Sequence, residues 1–451
     1  MRKPVPPKKI MKINTKLNPT GLRKKLALFW DKSAEKIVNL QRNYDTSKGS
    51  PVFTVKGKYT TRGWTEWTQG FQFGGALLQF DATGDTKFLD SGRKATVELM
   101  APHVTHFGVH DHGFNNVSTY GNLWRLMNEG FIPENEWERN FYEMALKCSG
   151  AIQARRFTKT KDGGGYVYSF NGPHSLFVDT IRSMRALAVA HQLGGTMMGD
   201  NDERISLLDR LVQHAISTAK YSVFYGEGRD SYDVRGRTTH EAIFNTNDGN
   251  FRCPNSQQGY SPFSTWTRGL AWAMVGFAEQ LEFIGNHPAR PIFLKAAKAT
   301  CDFYIENTPT DGIPYWDAGA PQLHKLGKYL DRPSDPFNEF EPIDSSAAAI
   351  AAQGLLRLGK YLKKDGARYW QAGLTVLDTL FDEPYLSTDP KHQGLILHSV
   401  YHQPNGWDYI PRGSKIPCGE SSMWGDYHAQ EVALLVQREI DNKPYLQFFK
   451  K

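Results

Sequence analysis

Apolar residues recur at helical spacing along most of the chain, and the helices they predict are of two kinds. Six segments are amphipathic with one charged face, at 22–44, 86–100, 134–155, 202–221, 289–306 and 367–381. Six others carry few charges and are rich in Gly, Ala and aromatic residues; they begin at Trp67, Gly113, Ser175, Ser264, Asp344 and Trp424. The first kind reads as helices with one wet side, the second as helices buried nearly all round and packed through small residues. The two kinds alternate strictly, which predicts an all-α chain of six helical hairpins closed into an (α/α)6 barrel, polar-faced helices outside. The hairpins share no strong sequence period, so the repeat is architectural, and a solenoid of hairpins has the same helix list. The expected organisation is a flexible basic segment at 1–21, one barrel domain at 22–440 and a tail at 441–451.

Charge adds little to this picture. The chain has 451 residues with 54 Lys and Arg against 47 Asp and Glu, a formal net charge of +7. Part of the excess lies in the first 25 residues, which hold seven Lys, two Arg and no acid. Such a leader reads as a solvated tail and not as a nucleic-acid arm. No apolar stretch follows it in the manner of a signal peptide, and no run of 18 apolar residues spans a membrane. The expected compartment is the cytoplasm, or the periplasm if an export signal has been trimmed. Cys148, Cys253, Cys301 and Cys418 are too scattered for a zinc knuckle or a disulfide framework. Aromatic content does change the picture: 11 Trp, 20 Tyr and 26 Phe exceed what a core requires, and aromatic faces stack on sugars or bases.

Candidate chemistry gathers before the inner helices. The connections 157–175 and 225–263 are too long for simple turns and dense in Gly, Asn, His and Tyr, as functional loops are. The stretch "GVHDHGFNN" at 108–116 crowds His110, Asp111, His112, Asn115 and Asn116 together. His110 and His112 lack the i, i+4 spacing of helical ligands and no third ligand is near, so no metal and no cofactor is expected. Asp111 precedes an inner helix, where it either caps the amides of Gly113 or Phe114 or does chemistry. Asp179 sits among apolar residues in "SLFVDTIRSM"; burial would raise its pKa and prepare it to donate a proton, whereas an ion pair with Arg182 would lower it. Two carboxylates on neighbouring inner helices form the sort of pair that glycoside chemistry uses. Arg268 and Trp272 share one helix face, where a guanidinium could bind a carboxylate beside a sugar-stacking indole; the alternatives are a buried ion pair and core packing.

The runs "WTQGFQFGGALLQFDATGDTKFL", "HDHGF", "VDTI", "QQGYSPFSTWTRGLAW", "DSSAAAIAA" and "WGDY", in this order from about Trp64 to Leu435, resemble glycoside hydrolase family 88, the unsaturated glucuronyl hydrolases. The resemblance implies an (α/α)6 barrel acting on anionic oligosaccharides left by polysaccharide lyases, such as those from glycosaminoglycans. The reaction it implies is hydration of the C4=C5 vinyl ether of a 4,5-unsaturated uronic acid, followed by its release from the non-reducing end. It makes Asp179 the general acid and base and Asp111 the second essential carboxylate. It counts His110, His240, Gln258, Arg268 and Trp272 as substrate-binding, with Trp67 as a stacking platform and Trp424 lining the same pocket. The expected assembly is a monomer or homodimer, without nucleic acid or membrane span. The chain departs from the family pattern in Thr180 to Met184 after the acid and in Arg155 and Arg156; these arginines either favour a sulfated substrate or form surface ion pairs. The rivals are an unsaturated rhamnogalacturonyl hydrolase of family 105, a hydrolase of saturated glucuronides and a non-catalytic carbohydrate-binding barrel.

Overall fold

The computed structural model describes residues 11–63 and 66–449; the start of the leader, Trp64, Thr65 and the last two residues lie outside it. The outer helices are Arg23–Asn43, Thr86–Leu99, Glu136–Arg155, Leu207–Tyr221, Arg290–Asn307 and Ala367–Leu380. The inner helices are Gln69–Thr83, a second one that runs through His112–Asn116, a π turn Val117–Gly121 and Asn122–Asn128, a third formed by Thr180–Ser183 and Arg185–Gln192, then Thr267–Ile284, Ser345–Leu362 and Met423–Ile440. Each inner helix touches the next and the sixth returns to the first, so the hairpins form a closed ring and not a solenoid.

Close packing of the inner ring rests on glycines. One stands at each of the six inner seams: Gly74 on Ser118, Gly113 on Ser183, Gly276 on Arg182, Gly354 on Met274, Gly425 on Ser346 and Gly75 on Gln430. At Gly113 an added Cβ would meet the Ser183 carbonyl oxygen at 2.3 Å, and the Gly113 amide donates to Ser183 Oγ at 2.9 Å. The small-residue signature of these helices is therefore a requirement of backbone approach.

Charges hold the ring from inside. Arg182 on the third inner helix bonds Glu279 on the fourth, and reaches Glu431 on the sixth at 2.6 Å. Arg185 also pairs with Glu431, at 3.1 Å, and gives its Nε to the Gly113 carbonyl. Arg182 is thus committed to the barrel axis, which removes the alternative of a pair with Asp179.

Among the described residues, parts of both terminal segments are packed against the barrel. Met11 is buried, with its amide on the Ile305 carbonyl, and Leu446 and Phe448 of the C-terminal segment are buried as well. Four small antiparallel sheets also punctuate the connections. One of them, in the order Ser175–Phe177, Glu241–Phe244, Phe251–Asn255, is built from the two long loops.

Buried histidines tie the fold to pH. Burial pushes His112, His214 and His428 down to about 3 and His240 down to about 4. On unfolding each returns to about 6.5 and takes up a proton below that pH. The folded state therefore loses stability as pH falls from about 6.5 toward 4, by roughly 1.4 kcal/mol per pH unit for each histidine. Asp317 and Asp408, raised by burial to about 6, act in the opposite sense over part of this window. His103, His398 and His402, also lowered by burial to about 4, add to the histidine side, so the histidines outweigh the two aspartates and the Tm is expected to fall in calorimetry between pH 6.5 and 4.5. A Tm that is flat or rises on acidification would contradict it.

Candidate active site

A cavity of about 670 Å³ opens at the end of the ring where the loops precede the inner helices. Its base is set by "HDHGFNN", each member of which has a separate task. Asn115 Oδ1 accepts the Gly70 amide at 2.8 Å and Asn116 Nδ2 donates to the His103 carbonyl at 3.0 Å, which fixes the start of the second inner helix against its neighbours. His112 is buried with Nδ1 on Ser149 Oγ at 2.9 Å and Nε2 on the His106 carbonyl at 3.0 Å, so both nitrogens serve the scaffold. Phe114 projects between Trp67 and Trp272, at 6.0 and 4.9 Å.

Asp111 stands at the cap position but its side chain caps nothing. The Gly113 amide goes to Ser183, and the Phe114 amide goes to the Asp111 backbone carbonyl at 2.9 Å. The expected capping bond is therefore absent, because Ser183 on the next helix supplies it, and the carboxylate faces the cavity instead.

Asp179 arrives from the three-stranded sheet. Phe177 pairs with Glu241, and the Val178 amide donates to the His240 carbonyl at 2.9 Å, so the register brings Asp179 beside His240. His110 Nε2 lies 3.3 Å from Asp179 Oδ2 and 3.8 Å from Asp111 Oδ1. One imidazole thus bridges both carboxylates.

The electrostatics reverse one expectation. Burial works to raise Asp179, but the His110 hydrogen bond and the charge of His110 outweigh it and hold this carboxyl below its usual range. Asp111 is the carboxyl that is raised, by burial first and by the like charge of Asp179. His110 is raised despite its burial, because both carboxylates favour the imidazolium. The shared imidazole thus favours the ionised form of Asp179 more than that of Asp111.

His240 Nδ1 accepts the amides of Gln257 and Gln258 at 3.0 and 3.2 Å, which places its proton on Nε2. That nitrogen is buried and has no protein partner. Arg268 is itself buried and its donors are spent: Nη1 on Asp344 at 2.9 Å and on the Val400 carbonyl, Nη2 on the Tyr401 carbonyl at 2.6 Å and on Gln258 Oε1 at 2.9 Å. Arg268 lines the cavity and forms the internal ion pair with Asp344 that is the alternative to a guanidinium–substrate pair. By holding the Gln258 oxygen, Arg268 leaves the amide hydrogens of Gln258 directed elsewhere.

Trp67, Trp272 and Gln258 line the cavity. Trp424 does not: it is fully buried, donates to Ser346 Oγ at 2.9 Å and stacks behind Trp67 at 5.2 Å and 25°. The expected lining role passes to Trp67, which Trp424 supports. Arg156 is also turned away, donating to the carbonyls of Phe107, Tyr168 and Ser169 and so fixing the loops that carry His110 and Phe170. Sequence reasoning passed over the loop at 401–407, whose Tyr401, His402, Asn405 and Trp407 complete the wall. The run "YHQPNGWDY" at 401–409, aromatic and turn-rich before an inner helix, carries the same signal as the two loops that were singled out.

No family model matches the chain. The chain is 28% identical over 377 residues to the unsaturated glucuronyl hydrolase of Formosa agariphila, covering 81% of this chain and 79% of that protein. It is 26% identical over 396 residues to the unsaturated glucuronyl hydrolase of Bacillus sp. strain GL1, covering 85% and 89%. Among solved structures, an unsaturated glucuronyl hydrolase specific for heparin shares the fold with a TM-score of 0.73 at 20% identity, over 95% of this chain and 100% of that one. The ordered motifs, the closed ring of helices and these relatives agree: the chain is similar in sequence and in fold to unsaturated glucuronyl hydrolases.

Proposed function

We propose that this protein is a glycosidase that releases a 4,5-unsaturated uronic acid from the non-reducing end of lyase-generated oligosaccharides by hydrating the C4=C5 bond. The observation that carries the reading is the bridged pair, with Asp111 and Asp179 meeting one imidazole at the base of an aromatic cavity.

Asp179 is the acid and base of this scheme. The incoming uronate brings a negative charge and displaces water, both of which raise the affinity of Asp179 for a proton. His110 supplies that proton across the 3.3 Å contact. Neutral Asp179 then protonates C4, and positive charge develops at C5 and the ring oxygen, where the Asp111 carboxylate stabilises it. Water adds at C5 and returns its proton to Asp179; the hemiketal opens and the remaining saccharide leaves. The Gln258 amide on the cavity wall is a donor available to sugar oxygens, His240 Nε2–H is buried beside Asp179, and Trp67 is the platform on which a ring stacks.

The test is loss of absorbance near 232 nm when the protein meets unsaturated disaccharides prepared with lyases from chondroitin, hyaluronan, heparin, gellan, ulvan and pectin. Decay is expected with at least one uronide-bearing substrate. Constant absorbance with all of them rejects the hydration reading.

A further inference from the structure

Beyond the paired carboxylates, the wall of the cavity is aromatic and acidic. Phe170, 40% exposed, stacks on His110 at 6.2 Å and 13°, and Trp407 stands across the opening beside His402 at 4.7 Å. Glu66 adds a carboxylate to the same wall. The Arg268 charge is taken up by Asp344, and burial lowers His402 to about 4, leaving it neutral at pH 7. The cations of the neighbouring loops have other work. Arg62 lies over the Trp407 ring at 4.6 Å and donates to its carbonyl, Lys415 pairs with Glu339 at 2.7 Å, and Arg156 serves three carbonyls.

We infer that the sugar bonded to the unsaturated uronate is uncharged, an unsulfated pyranose whose C–H face stacks on Phe170 and Trp407. This inference rests on the reaction proposed at Asp179. A pyranose presents an apolar face that matches an aromatic ring. The uronate already brings one negative charge to Asp179; a sulfate on the next sugar would add a second to a partly desolvated cleft that also holds Glu66, where repulsion is screened less than in water. Arg156 therefore shapes the loops of the site and does not select a sulfated substrate.

The experiment compares lyase-made chondroitin disaccharides that share one unsaturated uronate and differ only in having no sulfate, a 4-sulfate or a 6-sulfate, with decay followed near 232 nm. The unsulfated compound is expected to have a kcat/KM at least tenfold above either sulfated one; equal or faster turnover of a sulfated compound overturns the inference. Absence of decay with all three and with unsaturated disaccharides carrying neutral sugars overturns the underlying reaction instead, which separates the two failures. In Asn405→Lys, which sets an ammonium on this wall, the ratio between unsulfated and sulfated substrates is expected to narrow about tenfold. An unchanged ratio means that the wall does not read the charge of the second sugar, and also overturns the inference.

Discussion

Asp179→Asn is expected to lower kcat on the best unsaturated disaccharide by about 10³-fold or more while KM changes little. The amide keeps the shape of the side chain but can neither deliver a proton to C4 nor take one from water, and positioned acid–base groups contribute about 10²–10⁴-fold. Loss in kcat with binding preserved is the pattern of an interaction needed in the transition state. Binding is to be measured by calorimetry with the uncleaved disaccharide. The same substitution removes the carboxylate 3.3 Å from His110, so the imidazole, raised in the native protein, should titrate lower. NMR of the His110 ring reads this independently of turnover. An Asp179→Asn protein that retains wild-type kcat would remove Asp179 from its assigned role.

The second large effect is on stability. Arg182→Met is expected to cost about 3–5 kcal/mol, because removing one partner of a buried pair leaves uncompensated charge behind. Arg182 is fully buried and serves Glu279 Oε2 and Glu431 together; Arg185 can answer only part of Glu431, and Glu279 Oε1 already has no hydrogen-bond partner. The arginines also hold Glu431 well below its usual range against the effect of burial. Chemical denaturation of the variant should show the loss at pH 7, and part of it should be recovered as the pH is lowered and the orphaned glutamate becomes neutral. A loss below about 1 kcal/mol would show that the pair is compensated elsewhere.

The helical alternation was legible because it obeys local rules: polar faces mark the outer helices, and glycine and alanine mark the inner ones. The segments 22–44 and 367–381 were read from the chain almost as Arg23–Asn43 and Ala367–Leu380 fold. What stayed hidden depends on partners distant in sequence. Ser175–Phe177 is too short to announce itself as a strand, yet its pairing with Glu241–Phe244 is what sets Asp179 against His240. Arg182 was weighed as a partner for Asp179 three residues away, whereas its partners come 97 and 249 residues later. The ordering of the two carboxyl pKa values was unreadable for the same reason: burial alone predicts a raised Asp179, and only the placement of His110 reverses it. The place of Trp424 behind Trp67 likewise follows from the curvature of the ring and not from spacing along one helix.

Closure of the ring also sets a schedule for synthesis. Gln430 Nε2 donates to Ser33 Oγ, which in turn donates to Gln79 Oε1, so the last inner helix is stitched to the first hairpin across a separation of 397 residues. Until Met423–Ile440 has left the ribosome, the first and fifth inner helices each present an uncovered flank, and Arg182 lacks its Glu431. Five hairpins must wait as an open crescent with apolar edges exposed, a condition that invites association between nascent chains. Because these final contacts span nearly the whole polypeptide, closure of the ring is expected to be a slow step of folding.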